Sequence, residues 1–216
     1  MTVTYHAGRR LQGLDADRTA TQLPAGAVGG WVELGRTTLG SDTEPLSVSS
    51  LPDKRYYMIL SNYSRGTVGG NQICRINSDS GSNYSDRYSV NGGADGTQTN
   101  VTGMRMHGNL SPTTLIPYFT VGYTANYASK EKLFQWFTVK QETAGASNAP
   151  TRAEAVNKWA NTSNAINSIG FQGESAGTTK SGSEMVVLGY DPLDTHTNNY
   201  WEELLSETVG SDTSSH

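Results

Sequence analysis

Apolar residues recur along this chain with a period of two, in short runs separated by clusters of Gly, Ser, Asn and Asp. The stretch 51–84 anchors the pattern. Tyr56, Tyr57, Met58, Ile59 and Leu60 are bulky at consecutive positions, as in a strand covered on both faces. Gln72 to Ile76 alternates and then meets a polar loop, Asn77 to Asn83. These two runs are expected to form the central hairpin of a β-sandwich. Further strands are expected near 31–39, 44–49, 99–107, 114–124, 131–141, 153–160, 165–172 and 183–190, with the hairpin strands at 55–61 and 71–77. In the run at 131–141, Leu133, Phe137 and Val139 share one face and Phe134 and Trp136 the other, so that strand is read as covered on both sides. Glu184, Val186, Leu188 and Tyr190 alternate with Met185 and Val187, as a strand closing the sheet would. The pattern predicts an all-β fold, a jelly-roll-like antiparallel β-sandwich over residues 31–190. No internal repeat favours a propeller or solenoid.

Both ends depart from this pattern. Residues 1–30 show neither period, and Gly and Pro interrupt each apolar group, so they read as an extended assembly arm. Residues 191–216 form an acidic tail, carrying Asp191, Asp194, Glu202, Glu203, Glu207 and Asp212 without Lys or Arg. Within it, Asn199 and Glu202 resemble a capping box that opens a short helix from Tyr200 to Val209, with Gly210 as its stop. Trp201, Leu204, Leu205 and Thr208 share one face of that helix. A helix of this length is marginal alone and is expected to pack against the sandwich or a neighbour. Arg9 and Arg10 in the arm, with Trp201, Leu204 and Leu205 in the tail, are therefore the candidate assembly residues.

The 216 residues suffice for one large all-β domain with appendages. A net charge of −4 and a pI near 5.5 argue against nucleic acid as a partner, which calls for a basic face. Cys74, the single cysteine, excludes an intramolecular disulfide and reads as a buried small hydrophobe. There is no apolar run of membrane-spanning length, and Met1 opens a polar segment, so neither membrane insertion nor a signal peptide is expected.

Candidate chemistry is sparse. Gly173, Ser175 and Gly177 match the G-x-S-x-G nucleophile elbow, with Asp191, Asp194 and His196 following in hydrolase order. The elbow needs a helix after the serine, whereas Thr178 to Gly182 leads toward another strand, and the 41 residues after Ser175 are too few to complete an α/β-hydrolase sheet. A hairpin turn explains Ser175 better. Asn77, Asp79, Gly81 and Asn83 resemble part of a calcium loop, but Ser82 and Tyr88 stand where the sixth-position Gly and the closing carboxylate belong. An Asx-rich turn is the simpler reading. His6, His107, His196 and His216 lack metal-ligand spacing, and no cofactor is expected. Tyr84, Tyr88, Asn91, Asn126 and Tyr127 are candidates for stacking on sugars or for pinning loops. The sequons at Asn62, Asn83, Asn100, Asn109 and Asn161 arise in an Asn, Ser and Thr-rich chain by composition.

Several stretches carry a resemblance: Trp31 to Leu39, Leu51 to Tyr57, Arg75 to Tyr84, Glu131-Lys132, Lys158 to Ser163, Ile166 to Ile169 and Gly182 to Tyr190. In that order they resemble a family of jelly-roll-like virion structural proteins of tailed bacterial and marine viruses. The resemblance covers residues 31–190. It implies a tail, fibre or capsid-surface component located in the virion, without catalysis, whose partners are other virion proteins. A homo-oligomer is expected because the arm and the apolar face of the short helix both need cover, and a trimer is favoured on the same analogy. The alternative is a carbohydrate-binding module that recognises a host surface glycan. It would be marked by exposed aromatics gathered in one concave patch.

Overall fold

The computed structural model describes residues 31–66, 71–107, 116–174 and 177–191. The arm at 1–30, the helix expected in the tail, and the assembly residues Arg9, Arg10, Trp201, Leu204 and Leu205 lie outside the described residues.

Twelve strands make up the described chain: β1 (Val32–Thr38), β2 (Leu46–Ser49), β3 (Tyr56–Ser64), β4 (Gln72–Ile76), β5 (Tyr84–Val90), β6 (Gly96–Val101), β7 (Met104–Arg105), β8 (Pro117–Ala125), β9 (Lys132–Lys140), β10 (Thr151–Trp159), β11 (Ser168–Gly173) and β12 (Glu184–Tyr190). No helix occurs among the described residues. Eight strands form one antiparallel sheet in the order β1-β12-β3-β8-β9-β10-β5-β6, and four form a second in the order β2-β11-β4-β7. The inner faces share one core. Tyr57, Ile59 and Tyr63 of β3 meet Cys74 and Ile76 of β4, Phe171 of β11 and Trp136 of β9 in a single buried cluster. Cys74 is fully enclosed, and burial pushes its thiol far above the ordinary range.

The expected hairpin at 51–84 is corrected by this topology. β3 and β4 lie in different sheets, with β3 between β12 and β8 and β4 between β11 and β7. Both runs carry core residues, but those residues face each other across the sandwich, so the connection crosses between sheets. The bulky run Tyr56 to Leu60 is not covered on both faces either: Tyr57 and Ile59 are fully buried, whereas Tyr56 is exposed on the opposite side. β12 lies inside the sheet, between β1 and β3. The segment expected at 99–107 is divided into β6 and β7, which belong to different sheets. β5 had no counterpart in the sequence reading. Tyr84, Asp86, Tyr88 and Val90 alternate on its inner side, but the interleaved Ser85, Arg87 and Ser89 gave the run the composition of a loop.

Close packing at the centre depends on one glycine. The ring of Trp136 lies over Gly122 of β8, and a Cβ there would stand 2.1 Å from Trp136 Cζ3. Trp136 is held from its other sides by Phe134, stacked at 5.8 Å between centroids, and by Phe171, edge-on at 5.7 Å. Beside them Thr120 and Thr138, cross-strand partners, share a hydrogen bond of 2.9 Å.

Candidate recognition and assembly face

β8 is built inside out relative to the usual rule. Its inner side carries Tyr118, Thr120, Gly122 and Thr124, small or polar except for the tyrosine, and its outer side carries Phe119, Val121 and Tyr123. The small inner side is what admits the Trp136 ring. The bulky outer side has no such internal reason, because nothing in the described chain covers it. Phe119 is 51 % exposed, Tyr123 45 %, Phe137 45 %, Val156 52 % and Leu133 65 %. The expectation that β9 is covered on both sides is thereby corrected: Phe134 and Trp136 are buried, while Leu133 and Phe137 face solvent.

Antiparallel register gathers these residues. Phe119 pairs with Val139, Val121 with Phe137, and Leu60 with Val121, which places five apolar side chains from β3, β8 and β9 in one patch. Neighbouring cross-strand side chains stand about 4.5–5.5 Å apart between Cβ atoms, so the patch is continuous. Charged side chains bound it on the β10 side, where Arg152 and Glu154 pair with each other at 3.5 Å. The outer face of the small sheet differs sharply. It presents Ser47, Ser49, Ser168, Gly170, Gln172 and Arg75, and the apolar Ile73 on that side is buried beneath Gly103. The asymmetry is the clearest functional signal in the molecule, since a sheet face meant for water alternates to polar residues as the small sheet does.

Beyond the apolar patch, the same face opens into a groove of about 1150 Å³. Trp31, Tyr190 and Tyr56 line one side of it, with centroids 6.0 Å and 6.2 Å apart in succession and the two tyrosine rings only 19° from parallel. Tyr123, Leu133, Gln135 and Val156 are on its floor, and Arg87, Lys158, Thr97 and Thr99 close the far side. Arg87 pairs with Asp95 and Lys158 with Glu131, each at 3.1 Å and each well exposed. Just outside, the Arg55 guanidinium lies 4.4 Å from the Tyr127 ring centre and donates to its hydroxyl, which lowers the Tyr127 pKa.

The residues singled out for sugar stacking are mostly placed elsewhere. Tyr84 is buried, and its hydroxyl donates to the Asp79 carbonyl at 3.0 Å. Tyr88 packs against the core. Asn126 is buried and ties loops together, donating to Asp53 Oδ1 at 2.7 Å and accepting from the Ile166 amide at 2.9 Å. Asn91 accepts from the Arg152 amide at 3.0 Å in a left-handed turn conformation with φ of 52°. Tyr127 is the one aromatic among them that is substantially exposed.

The loop at 77–83 is organised by its own hydrogen bonds. Asp79 accepts from the Gly81 amide at 2.8 Å, from Asn83 Nδ2 at 2.9 Å and from Trp159 Nε1 at 2.8 Å. Burial alone would raise its pKa, but these donors together lower it below the ordinary value. Asn77 accepts from the Asn167 and Ser168 amides and donates to the Ala165 carbonyl, fastening the end of β4 to the segment before β11. The side-chain oxygens of Asn77 and Asp79 that suggested calcium are thus engaged in an Asx-rich turn. Among the described residues no group of three His, Cys, Asp or Glu side chains converges as a metal site.

Ser175 and His196 lie outside the described residues, as do His6 and His216. Residues 177–183, which follow Ser175, hold a β-bridge and a turn and no helix before β12 begins. His107 is buried, with its ring 5.4 Å from that of Tyr118. No protein-family model matches the chain, and neither a curated protein nor a solved structure does.

Proposed function

We propose that the chain is a jelly-roll-like, non-enzymatic structural component of a tailed-virus particle, a tail, fibre or capsid-surface protein that assembles as a homo-oligomer. Strand order supports the fold. β1, β12, β3 and β8 are consecutive in the large sheet and β2, β11, β4 and β7 make up the small one. With β5, β6, β9 and β10 set aside, the chain crosses between sheets from β1 to β2, β2 to β3, β3 to β4, β7 to β8, β8 to β11 and β11 to β12, a course that fits the eight-strand plan of a jelly roll. β5 with β6 and β9 with β10 are two insertions that lengthen the large sheet on one side.

The observation that carries the assembly reading is the apolar patch of Phe119, Val121, Phe137 and Val139. It lies where the β9–β10 insertion joins β8, on a face whose counterpart on the other sheet is polar. A second copy of this chain is the occupant that best fits it, because the patch is bounded by both signs of charge, so that Arg152 of one copy can meet Glu154 of another across a repeated interface. The assignment to a virus particle rests on the resembling stretches at 31–190. Mass spectrometry of particles purified from the source that encodes the chain tests it. Peptides of this chain at a fixed copy number per particle are the expected result, and their absence from intact particles refutes the reading.

A further inference from the structure

The groove on the other half of the large sheet combines apolar floor residues, Leu133 and Val156, with planar rings and hydrogen-bonding and charged side chains that the apolar patch lacks, and Phe119, Val121, Phe137 and Val139 take no part in it. We infer that this groove binds a carboxylate-bearing polysaccharide, whose sugar faces lie on Tyr123 and on the Trp31, Tyr190, Tyr56 ledge while its carboxylates meet Arg87 and Lys158.

Three features converge on that class of ligand. First, a sugar ring has an apolar face of C–H groups and an equatorial rim of hydroxyls. An exposed aromatic ring beside amide and hydroxyl side chains matches it, and Tyr123 stands directly opposite Gln135 in the β8–β9 register. Second, the groove, at about 1150 Å³, exceeds the roughly 300–1,000 Å³ of a site for a compact small ligand. It is open to solvent, as a site for a polymer requires. Third, charge selects among polymers. Arg87 and Lys158 are the cations that line the groove, and the one carboxylate among its lining residues, Asp86, turns inward to accept from the Arg105 amide at 3.1 Å. The partners of the two cations, Asp95 and Glu131, are outside the lining and exposed, and such pairs exchange readily for a better placed anion. A nucleic acid would demand a broader basic surface than two cations in a chain of net charge −4.

The test is calorimetric titration of the full chain with oligogalacturonates, and in parallel with neutral dextran oligosaccharides. Oligogalacturonate is expected to bind and dextran to bind at least about tenfold more weakly. Tyr123→Ala is expected to weaken oligogalacturonate binding about tenfold. Arg87→Gln with Lys158→Gln is expected to abolish the preference for the charged ligand while circular dichroism stays unchanged. Phe119→Glu with Phe137→Glu, outside the groove, is expected to leave binding intact. Failure of the wild-type chain to bind oligogalacturonate at millimolar concentration overturns the inference. So does equal binding of dextran, or binding that survives both groove variants unaltered.

Discussion

Replacing Asp79 with alanine removes the carboxylate that holds the 77–83 loop to β10. Trp159 is almost completely buried, and its Nε1–H donates to Asp79 Oδ2 at 2.8 Å. Without that acceptor the indole donor is stranded, at a cost of about 1–3 kcal/mol. The donors from Gly81 and Asn83 are exposed and regain water, adding roughly 0.5 kcal/mol each. The total is about 3 kcal/mol, which for a domain of this size lowers Tm by roughly 6–12 °C. Trp159→Phe removes the donor instead, and the double variant should lose much less than the sum of the two single ones. The Asp79 pKa is depressed in the folded state, so its contribution is fully present above the unfolded carboxylate value near 3.9 and is lost as pH falls through the folded value. Thermal melts of the wild type and Asp79→Ala should therefore converge toward strongly acid pH. Calcium provides the counter-test. A bound ion at one hundred times its Kd would stabilise the fold by about 2.7 kcal/mol, raising Tm by roughly 5–11 °C. A calcium-dependent rise of that size, or a loss below about 1 kcal/mol in Asp79→Ala, refutes the reasoning.

Two other predictions follow from particular contacts. Gly122→Ala drives a methyl group into the Trp136 ring, which Phe134 and Phe171 prevent from retreating, and should cost about 1–3 kcal/mol by chemical denaturation despite being the smallest possible change. Ser175→Ala should leave stability and behaviour unaltered, and a serine-directed fluorophosphonate should form no stoichiometric adduct with either protein; a covalent adduct on Ser175 in the wild type contradicts the non-enzymatic reading.

The sequence carried the class of fold well, because a period of two survives any arrangement of strands into sheets. It could not assign strands to sheets. β3 and β4 are adjacent in sequence, each with a core-facing side, and the same alternation serves a hairpin or a pair that faces across a sandwich. β5 was hidden because its inner side includes Asp86, a carboxylate that is tolerated there by accepting from the Arg105 amide. The recognition face was half legible. Leu133, Phe137 and Val139 were recognisable as an apolar row, but the sequence does not say whether a second apolar face is covered by its own chain or left open. The contribution of β8 was harder to see, since nothing local reveals that Thr120 and Gly122 point inward beneath Trp136 while Phe119 and Tyr123 point out.

The most direct test of assembly through the large sheet is the mass of the full chain in solution, by sedimentation equilibrium at micromolar concentration, for the wild type and for Phe119→Glu with Phe137→Glu. Both substitutions lie on an exposed face, so folding and the cooperative melt of the subunit should be preserved. The account predicts a discrete oligomer for the wild type, with three copies the expected number, and a monomer for the double variant. A wild type that stays monomeric, or a double variant that assembles as the wild type does, contradicts it.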